Sequence, residues 1–150
     1  MTPTDYKILP ITPPGAIVDN ASLTCAEVDS LGFDWVDFFI YLGATDVAMA
    51  ALKLQESDVS GSGFTDVPNA NFATATQVDG VAASLPGATD DNHFFGIRVN
   101  KQGRKRFLKL VATGGDGTAG AYITAFAVLS RAKQGISSKA QRGLTQELYA

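Results

Sequence analysis

At 150 residues, 45% hydrophobic, with 15 glycines and 6 prolines, the chain has the size of one domain with a real core and is too apolar for a disordered segment. A net charge of −3 argues against a basic nucleic-acid binder. A single cysteine, Cys25, and a single histidine, His93, exclude an intramolecular disulfide and the usual nitrogen and sulfur ligand set of zinc.

The small net charge hides a split. Residues 1–97 carry 13 acids against Lys7 and Lys53, and residues 98–150 carry 10 bases against Asp116 and Glu147. Such a split either steers docking on a charged partner or averages out when the two halves interleave in the fold.

Residues 1–14 hold Pro3, Pro10, Pro13 and Pro14 around Ile8, Leu9 and Ile11. Prolines forbid a regular helix, so this is an extended arm that lies along the domain's own edge strand or reaches to a neighbour. The arm lacks the basic start and apolar run of a secretory signal, and no apolar stretch approaches the roughly 20 residues that span a bilayer. The expectation is a soluble protein made in a reducing cytoplasm, with Cys25 as a buried, inert thiol in a strand.

Gly15 to Asp29 reads as two short strands split by a turn at Asp19-Asn20. Trp35 to Leu42 is a strand in which Val36, Phe38, Ile40 and Leu42 alternate with Trp35, Asp37, Phe39 and Tyr41; the second set suits a sheet surface that meets something. Over Gly43 to Asp58 helix propensity and strand context conflict; the reading is a turn at 44–48 and a strand at 50–57. Gly61 to Asp91 is a long loop anchored by Phe64 and Phe72, with weak strands near 73–78 and 81–85.

His93 to Arg131 carries the densest strand signal, three consecutive strands joined by glycine-bearing turns in hairpin fashion. Phe95, Ile97 and Val99 alternate with Phe94, Gly96 and Arg98; the next strand, 104–113, has a basic end and an apolar end, with Phe107 turned to the core. The last, 121–130, is apolar on both faces, as a central strand with no watery side would be. Residues 132–150 form a polar C-terminal tail.

Gly115, Gly117 and Gly120 match G-x-G-x-x-G, but no helix start or following acid supports a dinucleotide site, and Ala121 replaces the lysine of a P-loop. The motif reads as a flexible loop. His93 has no nucleophile at motif spacing, so no catalytic residue is assigned. Asp90-Asp91-Asn92 with Asp66, Asp58 or Glu56 offers hard oxygens for calcium but lacks the EF-hand spacing, and an ordinary turn is preferred; no metal or cofactor is expected. Arg104-Lys105-Arg106 with Arg98, Lys101 and Lys109 is a basic patch, read as a docking surface for an acidic protein or as a solvated edge, not as a nucleic-acid site.

Short strands, turns and one long loop predict an all-β, two-sheet antiparallel sandwich of jelly-roll kind over 15–131. The phrases Asp19-Asn20-Ala21-Ser22, Leu42-Gly43-Ala44-Thr45-Asp46, Gln55-Glu56-Ser57-Asp58, Ala88-Thr89-Asp90-Asp91-Asn92 and Lys105-Arg106-Phe107-Leu108-Lys109 resemble the capsid decoration (cement) proteins of tailed bacteriophages. The resemblance spans about residues 15–132 and leaves out the arm and the tail. It implies a jelly-roll knob, commonly a homotrimer, seated on the outside of a virion where major capsid protein subunits meet, with no enzymatic activity, membrane or nucleic-acid partner. The candidate partner interface is Pro10, Pro13, Pro14, Trp35, Arg104, Lys105 and Arg106. The alternative is a carbohydrate-binding sandwich with Trp35, Phe39 and Tyr41 as a sugar platform.

Overall fold

The computed structural model describes residues 5–13, 17–134 and 138–148. Among the described residues nine strands run β1 (Lys7–Pro10), β2 (Ile17–Val18), β3 (Glu27–Asp29), β4 (Phe33–Thr45), β5 (Ala51–Ser57), β6 (Thr65–Asn71), β7 (Phe94–Asn100), β8 (Phe107–Thr113) and β9 (Ala121–Ala132). One sheet has the order β1-β9-β4-β7, with β2 also on β9, and the other β3-β8-β5-β6. Every pairing is antiparallel. Among the described residues no helix is long and apolar enough to cross a membrane.

The order has a simple origin. β1 and β2 pair with β9, β3 with β8, β4 with β7 and β5 with β6, so the chain is one long antiparallel ribbon with its tip between β5 and β6. Folding the ribbon over itself brings β4 beside β9 and β5 beside β8 and closes two sheets on one core, which is the jelly-roll arrangement.

The alternation read from the sequence sets the inner faces. Val36, Phe38, Ile40 and Leu42 of β4 and Ile123, Ala125, Ala127 and Leu129 of β9 are buried, with Leu52 and Leu54 of β5 and Leu108, Leu110 and Ala112 of β8 in the same core. Small alanines on β9 leave room for Phe38, which is directly opposite Ala127 and fully buried. Full burial of one such ring is worth about 1.5–3 kcal/mol relative to leaving it in water.

Several sequence expectations change. The run from 93 to 131 is not a pair of hairpins: β7, β8 and β9 alternate between the sheets, and the turns at 101–106 and 114–120 cross from one layer to the other. Period-two patterning fixes which face a residue takes but not which strand lies beside it. The outer face of β9 is half-open instead of covered, with Tyr122 at 36% exposure. Phe107 lies half-buried on the outside of its sheet beneath the Arg106 guanidinium, 4.8 Å from the ring centroid.

In the long loop, β6 falls at 65–71, where Pro68 hid it, and only a Thr76–Ala82 bridge remains of the two weak strands. Cys25 is buried just ahead of β3 and outside any strand. The ambiguous stretch forms β5 at 51–57, because sheet pairing with β8 on one side and β6 on the other outweighs local helix preference. Residues 7–10 of the arm pair in register with β9 from Leu129 to Phe126.

Truncating Phe38 to alanine should cost about 3–5 kcal/mol in a denaturant titration. Phe94→Ala, at an exposed position, should cost less than about 1 kcal/mol in the same assay.

Candidate functional site

The crossing loop 114–120 packs against the β2–β3 and β4–β5 turns. A Cβ on Gly114 would lie 2.3 Å from the Val18 carbonyl oxygen, and one on Gly115 would lie 2.2 Å from that of Ala48. Glycine is needed here for close approach. The loop amides are already engaged: the Asp46 carboxylate accepts from Thr118 N and from Ala119 N at 2.6 Å, and Asp19 accepts from Gly117 N at 3.1 Å. The chain supplies its own anion where a phosphate would sit. These bonds, from Ala119 first and then Thr118, hold the Asp46 carboxyl down to about 2.

The reactive side chains of the sequence do not converge. His93 is exposed at the start of β7, where its backbone carbonyl accepts from Leu42 N at 3.1 Å. Cys25 is in the core, and burial pushes its thiol above the ordinary value. The acids considered for calcium each serve a separate donor. Asp90 accepts from Gly87 N, Asp91 from Thr45 N, Asp66 from Lys53 and Gln55, Glu56 from Arg104, and Asp58 from Arg106 N. Among the described residues no three His, Cys, Asp or Glu side chains gather as a metal-holding group.

The basic cluster is largely spoken for inside the fold. Arg104 pairs with the buried Glu56 at 3.2 Å, and the other Glu56 oxygen accepts from Lys105 N at 3.1 Å. Arg106 grips Asp29 with two nitrogens, at 2.8 and 2.7 Å, which lowers the Asp29 carboxyl and raises the guanidinium. Lys105 Nζ donates to the Thr65 hydroxyl at 3.2 Å, and Lys101 Nζ donates to the Lys105 carbonyl. Burial lowers the Lys101 ammonium. Arg98 bonds Asp37, and Lys133 lies 3.9 Å from Asp34. The acids of the first half of the chain thus meet bases of the second, so the two halves interleave in the fold.

What stays open is the outer face of the sheet holding β4. In register across the strands lie Pro10, Phe126, Phe39 and Gly96, with Thr124, Tyr41 and Phe94 in the next row. Phe39 stacks on Phe126 at 5.4 Å, and Tyr41 meets Phe94 at 4.8 Å. Phe94 is 64% exposed, Tyr41 37%, and Phe39 36%. With Tyr122 and about 200 Å² per ring, this is roughly 350 Å² of exposed aromatic surface, the size of the largest patch on a typical monomer and often functional.

The expected interface residues are scattered over this body. Pro10 and Pro13 are exposed, and Pro10 borders the aromatic face; Pro14 lies outside the described residues. Trp35 is half-buried two rows from Phe39, beyond the Asp37–Arg98 pair. Arg104, Lys105 and Arg106 sit at the β7–β8 crossing. Sequence reading marked Phe39 and Tyr41 but missed Phe94, Tyr122 and Phe126 as their neighbours, because that grouping follows from register alone. Comparison with protein-family models, curated proteins and solved structures finds no match for this chain.

Two outcomes follow from the carboxylates. The Asp46 pKa is lowered from 3.8 to about 2 in the fold, so its contribution to stability is complete above 3.8 and is lost as pH falls towards 2. Asp46→Asn should flatten the acid limb of the thermal midpoint against pH over that window. Glu56→Gln removes the charge from two buried-end bonds and should lower the unfolding free energy by about 1–3 kcal/mol in urea.

Proposed function

We propose that this protein is a virion structural protein that decorates and stabilises a phage capsid by binding the major capsid protein lattice, as a homotrimer and without catalysis. The observation that carries the reading is the aromatic outer face around Phe39, Phe94 and Phe126 on a jelly-roll body. A patch of this size on a monomer is often functional, and aromatic rings are enriched where one protein surface covers another. The phrases that resemble decoration proteins hold the body together. Asp91 ties down Thr45, Asp46 fastens the glycine loop, and Glu56 anchors the β7–β8 crossing. The resemblance therefore supports the body plan, and the aromatic face supports the act of binding.

Seated in many copies on a repeating lattice, even a weak contact gains from multivalency and stabilises the shell it binds. A sugar platform is disfavoured by geometry, since the Asp37–Arg98 pair separates Trp35 from Phe39 and Tyr41.

Purified full-length protein mixed with expanded, empty shells of the phage that encodes it should co-sediment with them and raise their heat resistance. Tyr41→Glu with Tyr122→Glu should abolish co-sedimentation while leaving the fold intact by circular dichroism. Shells that stay bare with wild-type protein would overturn the reading.

A further inference from the structure

A two-sheet sandwich has four edge strands, and edges left unpaired invite another strand. Three of the four edges here are blocked, the β1 edge being shared with the two-residue β2. β3 is only three residues long. β1 ends in Pro10, and its Ile8 N–H donates to the Arg142 carbonyl of the C-terminal segment at 2.9 Å. β6 contains Pro68 and is broken by Asn69 at φ 54 and by a register shift. The Asn69 side chain also ties it to Thr76 through bonds of 3.0 and 2.8 Å.

β7 differs from all three. It runs seven residues without proline and pairs with β4 in unbroken register from Trp35–Asn100 to Tyr41–Phe94. Among the described residues, no hydrogen bond reaches the backbone of 94–100 on the side away from β4. Beside that edge runs a groove in two contiguous stretches of about 390 Å³ each, which share Asn69, Ala70, Ile97 and Arg98 in their walls. The far wall is β6 with the following turn, including Phe72 and Gln77. Phe72 closes its floor edge-on against Phe95 at 5.7 Å.

We propose that this groove takes an extended polypeptide segment of a partner, added as a strand to the free edge of β7. A seven-residue strand needs roughly 23 Å of edge and lies about 4.8 Å from its neighbour, and main-chain bonds supply affinity while alternate side chains enter the seam. The wall along 69–78 stands beside that edge. The charge of the segment also follows. Arg98 and Arg104 line the groove, and among the described residues no carboxylate does. The Arg98 side chain is 71% exposed, and only its Nε is engaged, by Asp37. The segment that fits alternates apolar residues and carries a carboxylate opposite Arg98. This site goes beyond capsid decoration and does not require it.

The test is amide NMR of the labelled full-length protein titrated with capped seven-residue peptides that alternate valine and threonine, one with a central glutamate and one with a central lysine. The expected result is shifts confined to 94–100 and 67–78, slowed exchange of β7 amides, and at least about tenfold tighter binding of the glutamate peptide. Arg98→Glu should invert that preference. Gly96→Lys is sterically allowed, because a Cβ there meets only the Phe38 carbonyl oxygen at 3.8 Å, and should weaken both peptides with the rest of the spectrum unchanged. Shifts elsewhere, no shifts with either peptide, or a preference unaffected by Arg98→Glu would each overturn the proposal. Wild-type protein that binds shells but ignores both peptides refutes the groove alone; the reverse result refutes the capsid reading alone.

Discussion

The structure depends on the pairing of the first half of the chain with the second. β4 lies against β9 over most of its length, from Phe33–Ala132 to Thr45–Ala121, and that seam joins segments far apart in sequence. The cost of closing so long a loop must be met before any of its contacts form, which makes a fold of this kind slow and its intermediates prone to stray strand pairing. The fully buried Val36, Phe38, Ile40 and Leu42 of β4 and the Ala125, Ala127 and Leu129 row of β9 give the seam its stability. A one-residue slip would turn every one of these side chains to the solvent.

Charge reinforces the same pairing. The acidic first half and basic second half meet as Asp29–Arg106, Asp37–Arg98, Glu56–Arg104 and Asp34–Lys133. Apart from the pair made by the buried Glu56, these pairs are exposed and add little stability. Their effect lies in selection: registers that set opposite charges across the seam are favoured over those that oppose like charges. The pairing at the 104–106 crossing also explains why the densest run of cations in the sequence is largely engaged within the fold.

Much of this was legible in the chain, for a definite reason. Alternation of apolar residues at Val36–Leu42 and Phe95–Val99 fixes faces, and faces imply two sheets around one core. Neighbour relations were not legible. Nothing local distinguishes a turn such as Lys101-Gln102-Gly103 that returns within a sheet from one that crosses between sheets, so β7 and β8 looked like a hairpin. Pro68 masked β6 because proline is read as a strand breaker, although an edge tolerates it. The residues around the glycine loop argued against a phosphate cradle, but its anchor, Asp46, is more than seventy residues away in the chain and could not be seen beforehand.

Under the proposed function, this jelly roll reinforces a shell by being held on it. The most direct measurement is a cryo-electron microscopy reconstruction of expanded shells incubated with the full-length protein. The expected map shows ordered knobs where capsid subunits meet, with the Phe39–Phe126 face buried in the contact. Bare shells, or knobs attached with that face turned to solvent, would contradict it.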